Sequence, residues 1–386
     1  MELFTLNDKI QPDDIIDNYQ SLVWTERYTE WGDFELVIDE GLGRAEGLGR
    51  GSFLGMSASR RVMVVETIEE PGDGTLKITG RSIEFLLADR INHVAAIASG
   101  AASTTQKKTD TPSNLATFFF TSTCQSNTLI PQDNLPFVKT GSPGLSGNIP
   151  LPTDTVDYEY SEASVYDTIQ TICGTFQLGF AIVRSLSTNS ELTQFQVYTG
   201  SDRSSWQTTL PPVIFSPELG TLENQSAIES DASLKTVAYV FGQKGSRIVY
   251  ADGFDTEMVG LARRVMYVDA SDVAYTAGAT LNSVLDYRGR QALAEQRSAI
   301  AFDGEIPTTI PYKYGIDYNL GDIVERRNIR GYATKMMVTE QIFMSDNEGE
   351  RSYPTLTSLE LVVPGSWYAW NRTGVWNQAT GVWDAL

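Results

Sequence analysis

Residues that carry much of protein chemistry are scarce in this chain of 386 residues: one histidine, His93, and two cysteines, Cys124 and Cys173. A Ser-His-Asp triad has only His93 to build on, and no Gly-x-Ser-x-Gly elbow accompanies it, so His93 reads as a loop residue. Zinc needs clustered Cys and His ligands, which one His and two distant Cys cannot supply. Two cysteines are too few for a disulfide framework and fit folding in a reducing cytosol. Long apolar runs are missing too. None approaches the roughly 18 residues needed to cross a bilayer, so no stable membrane insertion is expected. The opening MELFTLNDKI lacks a basic segment followed by an apolar one, and no secretion signal is expected.

Positive charge is the other shortage. Against 49 Asp and Glu stand 29 Lys and Arg, a formal net charge of -20. Such a chain repels nucleic acid on average, which disfavours sequence-specific reading of DNA. Basic and aromatic residues do not interleave as an RNA platform requires. The excess serves solubility, or a surface along which DNA slides without sticking. Paired carboxylates are the remaining route to catalysis, since glycan hydrolysis needs only an acid and a base or nucleophile. Asp317 with Asp322, or Glu66 with Glu69, are the pairs to consider, but among 49 acidic residues such pairs arise by chance. Asp346-Asn347-Glu348 lacks EF-hand spacing and reads as a hairpin turn. The expectation is no catalytic residue, no cofactor and no metal.

What is present is β-structure. Leu22–Tyr28 reads as a strand, Trp31-Gly32-Asp33 as a turn, and Phe34, Leu36 and Ile38 then fall at the period of two that marks a half-buried strand. Gly-Leu-Gly-Arg occurs twice between Gly41 and Gly51, but without the Gly-Lys-Ser/Thr of a phosphate loop. Arg61–Ile68 and Leu76–Thr79 flank Pro71-Gly72-Asp73-Gly74, a hairpin signal. Ser82 is placed to cap a short helix with Ile83, Leu86 and Leu87 inward. His93–Pro112 reads as a loop or edge, Leu115, Phe118 and Phe119 as helical, and Gln132–Pro152 as an extended surface arm. Val165, Ile169, Ile172 and Cys173 mark one face of a helix with Gly174 as its C-cap. A hairpin follows, Phe176–Arg184 with Leu192–Tyr198.

Phe195–Gly242 reads as a seam between two β-rich regions, with Asp202-Arg203 as a turn fixed by an ion pair. Val237, Tyr239 and Phe241 then alternate with Ala238 and Val240, and both faces of that strand read as buried. A helix is expected from Leu281 to about Gln296, with Arg288 and Arg290 outward, and strands near Ala299, at Asp322–Arg326, Lys335–Phe343 and Thr355–Val363. Four of the seven tryptophans, Trp367, Trp370, Trp376 and Trp383, lie after Pro364. Such a tail gains by docking, because each indole carries a large apolar area. Either its own domain or a neighbouring subunit can receive it.

Several of these segments resemble, in order and spacing, the tail-tip hub and minor tail proteins of siphophages, especially those of actinobacterial phages. They are Trp24–Tyr28 with Gly32–Leu36, Ile78–Ser82 with Leu86-Leu87, Gly200–Ser204 with Val213–Ser216, and Tyr318–Val324 with Val338–Glu340. Those proteins are related to the N-terminal hub region of tail-associated lysins and to the hubs of contractile tails. The resemblance implies a mainly β (β-rich α+β) chain with two tail-tube-like β-barrels and smaller inserted α+β domains. Its boundaries would be 1–95 for the first barrel, 96–235 for the insertion with its arm, 236–363 for the second barrel and 364–386 for the Trp-rich tail. Val237–Phe241 would open the second barrel.

It further implies a homotrimer at the virion tail tip, assembled in the host cytoplasm and bound to the distal tail ring, the tape-measure protein and downstream tip or fibre proteins. Genomic DNA would pass without specific binding. Longer relatives carry lytic or receptor-binding extensions, and none is expected here. The alternatives are a host-surface glycan-binding module, acting through the Trp-rich tail or the Gln132–Pro152 arm, and a cell-wall hydrolase acting through paired carboxylates.

Overall fold

The computed structural model describes residues 1–41, 48–92, 100, 105–142, 144–184, 193–251, 256–273, 278–296, 299–305, 307, 311–327 and 333–358. They divide into two compact units. Unit 1 is Met1–Ala227 with Phe302–Thr357, and unit 2 is Ile228–Ala301 with Ser358–Leu386.

Unit 1 begins with seven strands: β1 (Leu3–Leu6), β2 (Pro12–Ile16), β3 (Tyr19–Arg27), β4 (Asp33–Asp39), β5 (Phe53–Met56), β6 (Met63–Glu69) and β7 (Thr75–Ser82). Their alternation works as expected. Leu22 and Trp24 on β3, Phe34, Leu36 and Ile38 on β4, and Leu76 and Ile78 on β7 point into one apolar core. The β6–β7 hairpin turns where Gly72 and Gly74 take positive φ, at 86° and 88°. After β7 a 3-10 turn runs over Ile83–Leu87. Ser82 does not cap it; its Oγ accepts the Gly32 N–H at 2.8 Å and ties the turn back to the start of β4.

Next in unit 1 come β8 (Gln106–Asp110), α1 (Pro112–Phe120), β9 (Val138–Thr140), β10 (Val156–Tyr160), α2 (Val165–Thr175), β11 (Gly179–Arg184) and β12 (Thr193–Tyr198). Leu115, Phe119 and Phe120 of α1 and Val165, Ile169, Ile172 and Cys173 of α2 are buried in one cluster with β11 and β12. Ser164 caps α2 by accepting the Asp167 N–H. The left-handed residue after α2 is Gln177, at φ 55°, rather than Gly174. The arm between Gln132 and Pro152 is not free either. Its β9 pairs in parallel with β12, and the Gly147 N–H donates to the Thr199 carbonyl.

The remaining strands are β13 (Ile214–Phe215), β14 (Glu223–Ser230), β15 (Val237–Gly242), β16 (Gly245–Tyr250) and β17 (Val265–Ala270). Helix α3 (Gly278–Glu295), β18 (Ala299–Glu305), β19 (Ile323–Arg327), β20 (Ala333–Asp346) and β21 (Gly349–Ser358) follow. One sheet of 13 strands holds the early and the late ones together, in the order β14-β18-β21-β20-β3-β4-β7-β6-β5-β1-β2, with β19 on β20 and β13 on β19. The fold is strand-rich, and none of the sheets formed by the described residues closes into a barrel. The reason is β20. Over its 14 residues it pairs with β19 through Ala333–Met337 and with β3 through Glu340–Ser345, so a single strand carries the sheet from one region into the other.

Unit 2 contains a separate small sheet in the order β16-β15-β17. Val237–Phe241, expected to open a second barrel, lies in the middle of it. Helix α3 packs on one face through Leu281, Val284, Leu285 and Leu293. The sequence reading buried both faces of β15. The α3 side is covered, whereas the other side is buried at Val237 and opens toward the far end, where Phe241 is 44% exposed and Tyr267, on β17, 67%.

Candidate functional site

Three of the segments that carry the resemblance, far apart in sequence, meet at one place in unit 1. The inward face of β3 ends in Trp24, Glu26 and Tyr28, a change from apolar to polar at constant period. The Tyr28 ring lies between Gly179 and Gly321. A Cβ on either glycine would come within 2.2 Å and 2.3 Å of ring carbons, so both positions must stay bare, and Gly321 also takes φ +84°. The Tyr28 hydroxyl sits 3.2 Å from the carbonyls of Gln177 and Tyr198.

Asp322 fixes the second segment to the third. It accepts the Ser201 N–H at 2.6 Å, the Asn319 N–H at 2.9 Å and Arg203 Nε at 3.2 Å. Burial pushes its carboxyl up, and these donors only partly offset that. Asp202 and Arg203 do not pair with each other, as the sequence suggested. Arg203 pairs with Asp322, and Asp202 reaches Lys335 of β20 at 3.0 Å. Neighbours in a turn point apart, and each finds its partner elsewhere, Arg203 just before β19 and Asp202 on β20.

Beside this junction lies a cavity of about 340 Å³ whose lining includes Glu26, Arg60, Arg61, Tyr198, Tyr314 and Asp322. Arg61 is 3% exposed and pairs with Glu84, which is 0% exposed, in the middle of the 3-10 turn. Glu84 also accepts the Ile182 N–H at 2.7 Å, and Arg61 Nη2 donates to the Arg27 carbonyl at 2.9 Å. Glu26 accepts from the Ser59 hydroxyl and, at 3.0 Å, from Tyr314. Burial drives the Glu26 carboxyl upward, with Arg61, Ser59 and Tyr314 opposing. Burial alone would lower Arg61, but Glu84 and its other neighbours carry it above its ordinary value. Such a buried charge set demands partners on every side, and here it stitches β3, the β5–β6 loop, the 3-10 turn and β11 together.

The sequence-derived carboxylate pairs are not brought into a catalytic arrangement. Asp322 is saturated as described, Asp317 accepts the Lys313 N–H at 2.7 Å, and Glu66 is clasped by Arg81 at 2.7 and 2.6 Å. Cys124 and Cys173 are free and buried, and burial pushes the Cys124 thiol up to about 12, far from a reactive thiolate. Among the described residues no cluster of three His, Cys, Asp or Glu is placed to hold a metal ion, and no helix is long and apolar enough to cross a membrane. His93 and the tryptophans Trp367, Trp370, Trp376 and Trp383 lie outside the described residues, as does most of the Gly41–Gly51 loop. Sequence reasoning missed Glu26, Ser59, Arg61 and Glu84. Glu84 carried the one usable signal, a lone carboxylate inside Ile-Glu-Phe-Leu-Leu.

Solved structures with this fold include three tail proteins. The tail protein from Neisseria meningitidis MC58 is 12% identical, with 93% of this chain and 97% of that one covered at a TM-score of 0.54. The prophage MuSo2 43 kDa tail protein from Shewanella oneidensis is 12% identical over 92% and 98%, at 0.54. Prophage tail protein gp18 from Listeria monocytogenes EGD-e is 11% identical over 94% and 96%, at 0.51. At such identities the likeness is one of fold: the chain has the fold of phage tail proteins. No curated protein matches it. Residues 2–353 match the family described as Siphovirus ReqiPepy6 Gp37-like protein, and the chain belongs to that family.

Proposed function

We propose that the chain is a structural, non-enzymatic hub at the tip of a long non-contractile phage tail. It closes the distal end of the tube and connects it to tip or fibre proteins. The observation that carries this reading is coverage: the likeness to the Neisseria tail protein runs through 93% of this chain and 97% of that one, so nearly the whole chain is tail-protein fold. Membership of a siphovirus family supports the long-tailed setting. Of the carboxylates a hydrolase would use, Asp322 is held by Ser201, Asn319 and Arg203, and Glu66 by Arg81, which supports a structural part over an enzyme.

In this reading three copies form the hub, and each contributes the 13-stranded sheet that joins its early and late strands. The distal tail ring and the tape-measure protein bind on one side. The net charge of -20 suits a lumen through which DNA passes without sticking. The particle is assembled in the host cytoplasm, and Trp367, Trp370, Trp376 and Trp383 dock between subunits. Light scattering on the purified chain tests the reading. A trimer is expected; a monomer that binds cell-wall glycan tightly would replace the hub with a receptor-binding module, and peptidoglycan turnover lost on Asp322→Asn would replace it with a hydrolase.

A further inference from the structure

The small sheet of unit 2 has two very different faces. Register places Tyr239 of β15 beside Ile248 of β16 and Tyr267 of β17, and Val237 beside Tyr250 and Val265. Phe241 extends the same face and stacks on Tyr267, with ring centroids 5.4 Å apart. The opposite face, with Ala238, Val240, Val249, Met266 and Val268, is the one under α3. On the open face Ile248 is 52% exposed and Val265 38%, and the segment entering β17 adds Leu261 at 77%. Arg263 donates to the Tyr239 hydroxyl at 3.1 Å and lies 5.9 Å from the Tyr250 ring centroid, a cation set among aromatics. Val237, at one end of the face, is buried, but Phe241, Ile248, Leu261, Val265 and Tyr267 stay exposed among the described residues. A contiguous apolar patch of this kind marks an interaction site.

We propose that this open face receives the tryptophan-rich tail, residues 364–386, of a neighbouring copy of this chain. The inference rests on the reading of the chain as a homo-oligomeric hub and names the surface that the tail would use. The chemistry matches. The tail brings four indoles, each able to bury about 150–250 Å², to a face of stacked aromatics, β-branched residues and one guanidinium, a good partner for indole. An extended chain spans about 3.3–3.6 Å per residue, so Trp367 can stand up to roughly 30 Å beyond Ser358 and Trp383 more than twice as far. A patch left open by the described residues of its unit and a segment rich in indoles are the two halves of one contact.

Two full-length variants test it, after light scattering has given the copy number. Tyr267→Cys places a thiol on the face, and the native Cys124 and Cys173 are buried and do not compete. Its labelling by maleimide is compared with that of the same variant carrying Ser at Trp367, Trp370, Trp376 and Trp383. Labelling slower by about tenfold or more with the tryptophans present is expected, the protection given by about 1.4 kcal/mol of docking. Mixing a Tyr267→Cys copy with a Trp376→Cys copy under mild oxidation should yield a disulfide-linked pair of chains. A multi-copy assembly with equal labelling in both backgrounds and no linked pair overturns the docking and leaves the hub standing. A single-copy particle that links only when both substitutions share one chain overturns docking between copies, and the copy number then counts against the hub as well.

Discussion

In unit 1 Arg61 is 3% exposed and bound to Glu84, whereas in unit 2 Tyr267 is 67% exposed on a sheet with cover on one side only. The first region takes charge inside and holds it with partners from four segments of its own chain. The second leaves aromatic surface outside. A buried ion pair is a poor source of net stability against an apolar equivalent, but it is intolerant of losing one member. An exposed apolar face adds little to the fold of a single copy, and its value lies in what it can bind. Unit 1 therefore has the character of a junction that must not move, and unit 2 that of an element whose surroundings are supplied from outside.

The comparison is broken most severely at Arg61. Arg61→Ala leaves Glu84 and Glu26 buried without their cation, and a loss of about 3–5 kcal/mol is expected. Chemical denaturation measures it; a loss below about 1 kcal/mol, the range of surface pairs, would make the junction an ordinary surface feature. Inside unit 2 the covered face gives the next effect. Leu285, under the sheet and fully buried, should cost about 2–5 kcal/mol on truncation to Ala. That loss should appear in hydrogen exchange of β15 and β16 before it appears in β3 and β4.

Glu26 sharpens the electrostatic half. Its carboxyl is raised in the folded chain, so the native state holds that proton more tightly than the unfolded state does. The stability it contributes is full below the unfolded value of about 4.3 and falls as pH rises through the raised value. The difference in stability between wild type and Glu26→Gln should therefore shift against the wild type from about pH 4.3 upward. Denaturation of both proteins at several pH values gives that difference, and a flat profile would remove Glu26 from the buried set.

Much of unit 1 was legible because local pattern and final burial agree there. Phe34, Leu36 and Ile38 alternate, the Gly72 and Gly74 turn demands positive φ, and the faces of α1 and α2 follow helical spacing. What was not legible is what depends on partners distant in sequence. Nothing near Lys335–Phe343 announces that β20 continues onto β3, and so the separate barrels of the sequence reading became one open sheet. The junction was hidden for the same reason. Glu26, Arg61 and Glu84 are ordinary charged residues until β3, the β5–β6 loop and the 3-10 turn converge. On β15, Tyr239 and Phe241 look like core residues because alternation reports that a face is apolar, while cover depends on whether a second element reaches it.

The smallest effect in a single copy carries the most information about the open face. Tyr267→Ser removes an aromatic ring that is 67% exposed and, among the described residues, stacks on Phe241 and makes no hydrogen bond through its side chain. The substitution opens no cavity and leaves no buried partner unsatisfied, so a change within about 0.5 kcal/mol is expected in the denaturation midpoint of the isolated chain. A fall approaching that of Leu285→Ala would mean that the face is packed within its own unit, and the contrast between the two faces of β15 would be lost. If the midpoint holds while association between copies weakens on dilution, the ring serves contact and not folding. The two readouts separate because stability in one copy depends on the side under α3 alone, whereas assembly depends on the side that α3 leaves bare.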